Sequence, residues 1–338
     1  MNSDAKKSLS VVVIGRNEGL RLARCIESIQ AMRFNGKVEI IYVDSNSTDG
    51  SASRAKWLGA KVISVRPDRP SAALGRNAGW REATAPFVLF LDGDTILAPD
   101  FVQTAMKSFA DPRVAVVCGN RRETNTKGSF YNRALDLDWI SPAGAADYCG
   151  GDALMRRPVL EKVSGYDERL IAGEEPEMCA RMRAQGFSIQ HIDEPMTGHD
   201  LAITHFSQYW KRAFRTGHAY AEVSQHLRGS ATPLWEREAK ANLVRSTFLL
   251  SFLVLSIIAA AFFYSFIPLI LAAAFFSALV IRTASKVGWK STDWVTRLLY
   301  GVHSHFQQVP ILFGQLSYRR DQSKGVQRQL IEYKGASS

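Results

Sequence analysis

The chain has 338 residues, 46% of them hydrophobic, which excludes a disordered polymer and leaves room for one large domain or two ordinary ones. Its four cysteines lie far apart with no CxxC pair, which argues against a disulfide framework or a zinc site and suits a reducing compartment. Net charge is +10, and residues 282–338 hold nine Lys/Arg against three Asp/Glu, a balance that suits either nucleic acid or an anionic membrane surface.

The opening segment, MNSDAKKSLS, is polar and lacks the apolar stretch of a secretory signal, so a cytosolic catalytic or binding face is expected. LSVVVIG (9–15) is a β-branched run ending in glycine, and Leu22, Ile26, Ile29 and Met32 follow at helical spacing. VEIIYVD (38–44) is the next predicted strand and SASRAKWLGA (51–60) the next helix. KVISV (61–65) and ALGRNAGWREA (73–83) repeat the alternation, then FVLFLD (87–92), a helix from 100 to 110, and VAVVCG (114–119). Apolar strands alternating with helices predict a mostly parallel central sheet flanked by helices, an α/β fold. Ligands in such sheets bind beyond the carboxyl ends of the strands.

At that end of strand 87–92 stand two carboxylates, Asp92 and Asp94, with only Gly93 between them. If extended geometry persists to residue 94, their side chains point the same way. Adjacent carboxylates repel unless a cation lies between them or one is protonated. A hard divalent cation that also binds a diphosphate fits; a ligand-free Asp-Gly-Asp turn is the bland alternative.

Residues 247–281 carry no charge. The run is too long for one span of about 20 residues and slightly short for two full ones, and Pro268 in YSFIP is a helix breaker. A hydrophobic hairpin, spanning or re-entrant, is expected, and it selects the membrane over nucleic acid as partner of the basic tail. Arg245 before it and Arg282, Lys286 and Lys290 after it place both ends in the cytoplasm. Residues 291–320 read as an interfacial helix, with His303 and His305 at a wet headgroup level and without chemistry.

The stretches VVVIGRNEG, EIIYVDSNSTDGS, LGRNAGWREATAPFVLFLDGDT, CGGDALMRRPVLEKVSGYDE and GEEPEMCARMRAQGF occur in that order over about residues 9–190. In this combination the chain resembles the family 2 glycosyltransferases, which implies a nucleotide-diphospho-sugar-transferase fold of the A type. Neither the GxGxxG of a dinucleotide fold nor a GxxxxGK[ST] phosphate loop is present. The resemblance implies a glycosyltransferase domain, expected over 1–230, and the apolar hairpin marks a membrane-associated helical region over 231–338. It implies a divalent metal, Mn or Mg, held by Asp92 and Asp94, with His199 as a third ligand, to neutralise the charge developing on a departing nucleoside diphosphate. Asp44 is expected to meet the base or ribose, Arg76 the nucleotide or its phosphates, Asp92 the donor, and Asp152 donor or acceptor hydroxyls.

The family takes its catalytic base from an acidic pair opening a helix. Here that stretch is GEEPEMCARMRAQGF (173–187), with Glu175 as the base and Glu-Glu where the family commonly has Glu-Asp. A helix N-terminus favours such acids by about 0.3–1 kcal/mol each without any catalytic role, and its dipole would hold Glu175 ionised. QYWKR departs from the QxxRW motif of processive synthases. Gln208, Trp210 and Arg212 are expected as a lid over the donor, or Trp210 and Phe214 with Lys211, Arg212 and Arg215 as a membrane-surface segment. Glu123, Asp136 and Asp138 are read as solvated charges.

The expected function is inverting, metal-dependent sugar transfer from a nucleotide-sugar donor to a lipid-linked saccharide acceptor in the inner membrane, for exopolysaccharide or cell-envelope assembly. The alternatives are a polyprenyl-phosphate glycosyltransferase and a non-catalytic nucleotide-sugar-binding subunit.

Overall fold

The computed structural model describes residues 8–66 and 68–326. Residues 1–7 of the polar opening segment and the end of the basic tail lie outside the described residues. The strands are β1 (Ser8–Gly15), β2 (Lys37–Asp44), β3 (Lys61–Ser64), β4 (Phe87–Asp92), β5 (Thr95–Leu97), β6 (Val114–Glu123), β7 (Gly144–Ala146), β8 (Ala153–Arg156) and β9 (Ser188–His199). They form one sheet in the order β3-β2-β1-β4-β8-β6-β9-β5, with β7 paired to β9. The sheet is parallel from β3 to β4, as the strand–helix alternation predicts. Beyond β4 it is mixed, because β8 runs antiparallel to both β4 and β6.

Helices α1 (Leu20–Gln30), α2 (Ser51–Trp57), α3 (Ala72–Arg81), α4 (Phe101–Ser108), α5 (Phe130–Leu135), α6 (Arg157–Lys162) and α7 (Glu174–Ala184) connect the strands. Val11, Val12, Val13, Leu89, Phe90 and Leu91 are fully or almost fully out of water, since β1 and β4 are covered on both faces. Each such side chain contributes roughly 1.5–3 kcal/mol by burial. Helix α3 lies close on the sheet because Gly79 has no side chain: a Cβ there would collide with Val12 and meet Val43 Cγ2 at 3.1 Å.

The C-terminal part is all helical: α8 (Phe206–His226), α9 (Glu236–Phe262), α10 (Ile267–Lys286), α11 (Trp294–Phe306) and α12 (Gln308–Ser323). The predicted break falls at YSFIP, with Pro268 in the first turn of α10 where its missing N–H is harmless. Helix α9 begins well before the uncharged run. Both α9 and α10 are long and apolar enough to cross a membrane, and only 17% and 11% of their most apolar stretches are buried. The single interfacial helix expected over 291–320 is instead two helices, α11 and α12. Their inner residues Gly301, His303, Ile311, Leu312 and Gly314 are buried against the protein. Helices α8 and α12 cross closely at Gly217 and Gly314, where an added Cβ would run into backbone of the facing helix.

Gly79→Val is expected to destabilise the chain by about 1–3 kcal/mol through overpacking against Val12. An unchanged thermal unfolding midpoint in detergent would show that this helix–sheet contact carries no such constraint.

Candidate active site

Parallel pairing brings three strand ends together: Gly15 is level with Asp44, and Ile14 with Asp92. Beyond them opens a cleft of about 630 Å³, lined from the sheet side by Asp92, Asp94, Arg121 and His199 and from the helix side by Arg76, Glu174 and Glu175. Asp92 and Asp94 converge as expected, although not through continued strand geometry. Strand β4 ends at Asp92, Gly93 N donates to Ile14 O at 2.8 Å, and the chain turns into β5. The antiparallel pairing of β5 with β9 sets Thr95 opposite His199, so the imidazole arrives beside Asp94, with Nε2 3.4 Å from Oδ1. One ligating atom from each of Asp92, Asp94 and His199 lies within 4.8 Å of the others. Two carboxylates and one imidazole suit Mn2+ or Mg2+.

Arg76 is the hub. Its guanidinium, 3% exposed, reaches Asp92 at 2.9 Å, Glu174 at 3.0 Å and Glu175 at 2.8 Å. Helix α3 presents it: Ser71 caps the N-terminus by accepting from Leu74 N, and Asn77, one residue on, donates to Tyr166 O and anchors the loop before α7. Arg76 therefore lines the cleft, where it was expected to meet the nucleotide or its phosphates, and in this structure it is engaged with three acids. Gly151 makes room for it, since a Cβ there would overlap the Arg76 guanidinium and lie 3.2 Å from Asp92. The glycine turn thus admits Arg76.

Burial alone would raise the Asp92 carboxyl, but Arg76 and Arg121 beside it hold it below the ordinary carboxylate range. Glu175 goes the other way. Burial and the neighbouring Glu174 charge push it up to about 7 against the pull of Arg76, so the expected dipole-held ionisation is overridden. Glu174 and Glu175 occupy the first turn of α7, entered through Gly173 in the left-handed region (φ 84°).

Three expected contacts differ. Asp152 is fully buried behind Asp92, accepting from Asp92 N (3.1 Å) and Thr197 Oγ1 (2.7 Å) and pairing with Arg121 (3.0 Å). It supports the site from below, and burial raises it to about 6. Asp44 is 4% exposed and accepts from Tyr42 Oη and Ser47 N, while the next residue, Ser45, lines the cleft. Of the predicted lid, Arg212 does line the cleft, with Arg215 one turn on. Gln208 instead caps α8, accepting from Thr204 N and His205 N, and Trp210 packs on Phe306 and Phe313.

Residues read as solvated charges are structural. Asp136 is buried and accepts from Arg122 and Glu123 N; Glu123 is buried and accepts from Asn125 N and Leu201 N. Asp138 accepts from His303, whose ring is buried rather than at a wet surface. Sequence reasoning missed Arg121, whose register irregularities at Asn120 in β6 are invisible in a run of alternating residues. It also missed Tyr148 and Trp235, aromatic residues on the cleft wall. Trp235 stands beyond the expected boundary at 230, so the helical region completes this wall.

Residues 10–164 match the profile of glycosyl transferase family 2 and carry a domain of that family. The chain is 24% identical over 237 residues to the pre-mycofactocin glycosyltransferase of Mycobacterium tuberculosis, covering 65% of this chain and 48% of that protein. It is 27% identical over 215 residues to an N-acetylglucosaminyltransferase of Mesorhizobium japonicum, covering 55% of this chain and 50% of that one. The chain thus spans about half the length of these two relatives. In fold it resembles a mannosyltransferase from Pyrobaculum calidifontis solved with GDP-mannose and Mn2+, with TM-score 0.66, 19% identity, and coverage of 93% of this chain and 87% of that one. The fold is that of an A-type glycosyltransferase.

Arg76→Met leaves Asp92, Glu174 and Glu175 without their shared cation and is expected to cost about 3–5 kcal/mol. The carboxyls then resist ionisation in the folded state, so the loss should be greater at about pH 8 than at about pH 5. Equal losses at both pH values in denaturant titrations would remove this account of the cluster.

Proposed function

We propose that this family 2 domain transfers a sugar from a nucleoside-diphosphate sugar to a hydroxyl of a lipid-linked saccharide at the cytoplasmic face of the inner membrane, with inversion at the anomeric carbon. One observation carries the reading: the Asp92–Asp94–His199 cluster and the Glu174–Glu175 helix terminus face the same cleft and are joined through Arg76.

Asp92, Asp94 and His199 would hold a divalent cation, which when bound neutralises charge developing on the departing diphosphate. Arg212 and Arg215 add positive charge to the same wall and orient the phosphates. Glu175 accepts the proton of the acceptor hydroxyl as its oxygen attacks the anomeric carbon; the bond to the diphosphate breaks with its electron pair leaving on phosphate oxygen. A single displacement inverts configuration. A carboxyl near 7 is suited to this exchange, being a stronger base than an ordinary glutamate while still ionised in part at neutral pH.

The helical region supports this acceptor class. Trp235 stands immediately before α9, so the wall of the cleft leads through the charged first turns of that helix to its exposed apolar stretch. Helices α9 and α10 present Leu255, Ile258, Ile270 and Leu271 outward, apolar surface that a bilayer would cover. The basic residues flanking the pair favour cytoplasmic placement of both ends. Assembly of exopolysaccharide or another envelope glycan is the role this arrangement suits.

The test is transfer of labelled sugar from nucleotide donors to lipid-linked acceptors, with Mn2+ and Mg2+ supplied separately. Asp94→Ala is expected to lower turnover about 10²–10³-fold and Glu175→Gln about 10²–10⁴-fold. Since the base must be ionised, kcat/KM should rise with pH through about 7. Full activity in Glu175→Gln would remove the base and favour a lipid phosphate acceptor, which is ionised without help.

A further inference from the structure

Helix α11 reaches the candidate metal site through a short chain of contacts. His303, buried on α11, hydrogen-bonds Asp138 Oδ2 through Nε2 (3.0 Å) and the Tyr209 hydroxyl of α8 through Nδ1 (2.8 Å). The ring is therefore held from two sides. Asp138 lies in a short 3-10 helix, Asp136–Trp139. The next residue, Trp139, sets its indole edge-on to the His199 ring (centroids 5.0 Å apart) and under the Arg121 guanidinium (5.1 Å). Arg121 in turn pairs with Asp92 and Asp152. One indole therefore touches both the imidazole proposed as a ligand and the cation that holds a carboxylate ligand ionised. Trp139 also packs against the cluster of Leu135, Leu201, Ile203 and Tyr209, which joins the same elements.

We propose that Trp139 is a positioning residue for His199 and Arg121, and that the Tyr209–His303–Asp138 clamp fixes it, so that seating of α11 sets the geometry of the metal ligands. The inference rests on the metal-site reading above. It makes the affinity for a divalent cation depend on a residue in the helical region that touches neither the cation nor a ligand.

The experiment measures Mn2+ binding to the full chain in detergent by electron paramagnetic resonance of the free ion, without nucleotide or acceptor. Trp139→Ala is expected to weaken binding about tenfold, the scale of groups that orient metal ligands, and Trp139→Phe to restore most of it. His303→Ala should weaken binding several-fold. Arg228→Ala, which breaks the exposed Arg228–Glu236 pair of the helical region and touches neither α11 nor the clamp, should leave it unchanged. Unaltered affinity in Trp139→Ala overturns the inference while leaving the metal site standing, and so does equal weakening by His303→Ala and Arg228→Ala. Failure of the unaltered chain to take up Mn2+ overturns the metal site and the inference together.

Discussion

A guanidinium shut away from water must be surrounded by acceptors, and Arg76 meets that condition with Asp92, Glu174 and Glu175. The acids come from the end of β4 and the first turn of α7, far apart in the chain, while the arginine comes from α3. Charges in a region of low dielectric attract strongly but are costly to leave unmatched, so the three elements are bound to one arrangement. The other features of the site follow from this. Gly151 must lack a side chain to admit the guanidinium, Asn77 must hold the loop that leads to α7, and Arg121 must supply a second cation on the far oxygen of Asp92. The result is a depressed carboxyl at Asp92 and a raised one at Glu175, two acids in one cleft with opposite tendencies.

The helical region is part of the same construction. Close approach at Gly217 and Gly314 seats α8 against α12, and α8 brings Arg212 and Arg215 to the cleft wall. Helix α11 meets α5 through Arg133 and Asp293 and meets the 3-10 helix through His303. The wall opposite the sheet is therefore built by segments that also adjoin the exposed apolar helices. In the reaction we propose, an acceptor held in a bilayer and a donor held over the sheet edge would meet where these two parts adjoin.

Much of the fold was legible in the order of residues. Apolar runs of five or six residues between amphipathic helices dictate strands covered on both faces, and β1 to β4 form where periodicity puts them. The antiparallel half was less legible, because β5, β7 and β8 are only three or four residues long and carry no distinctive pattern. The acidic pair and the Glu-rich helix start were visible because charge is rare at the ends of apolar strands. Asp44 and Asp152 were visible too, but their partners were not, and the partners turn both carboxylates away from the cleft lining.

By itself the sequence determined the alternation of elements, the acids at the strand ends and the uncharged hairpin, since these depend on local periodicity and on hydrophobicity along the chain. Only the tertiary structure decided that Arg76 serves three acids, that His199 meets Asp94 across the β5–β9 pairing, and that His303 is a buried link and not a wet surface residue. Those facts depend on contacts between residues far apart in the chain, where charge and burial are set by neighbours that no local pattern names.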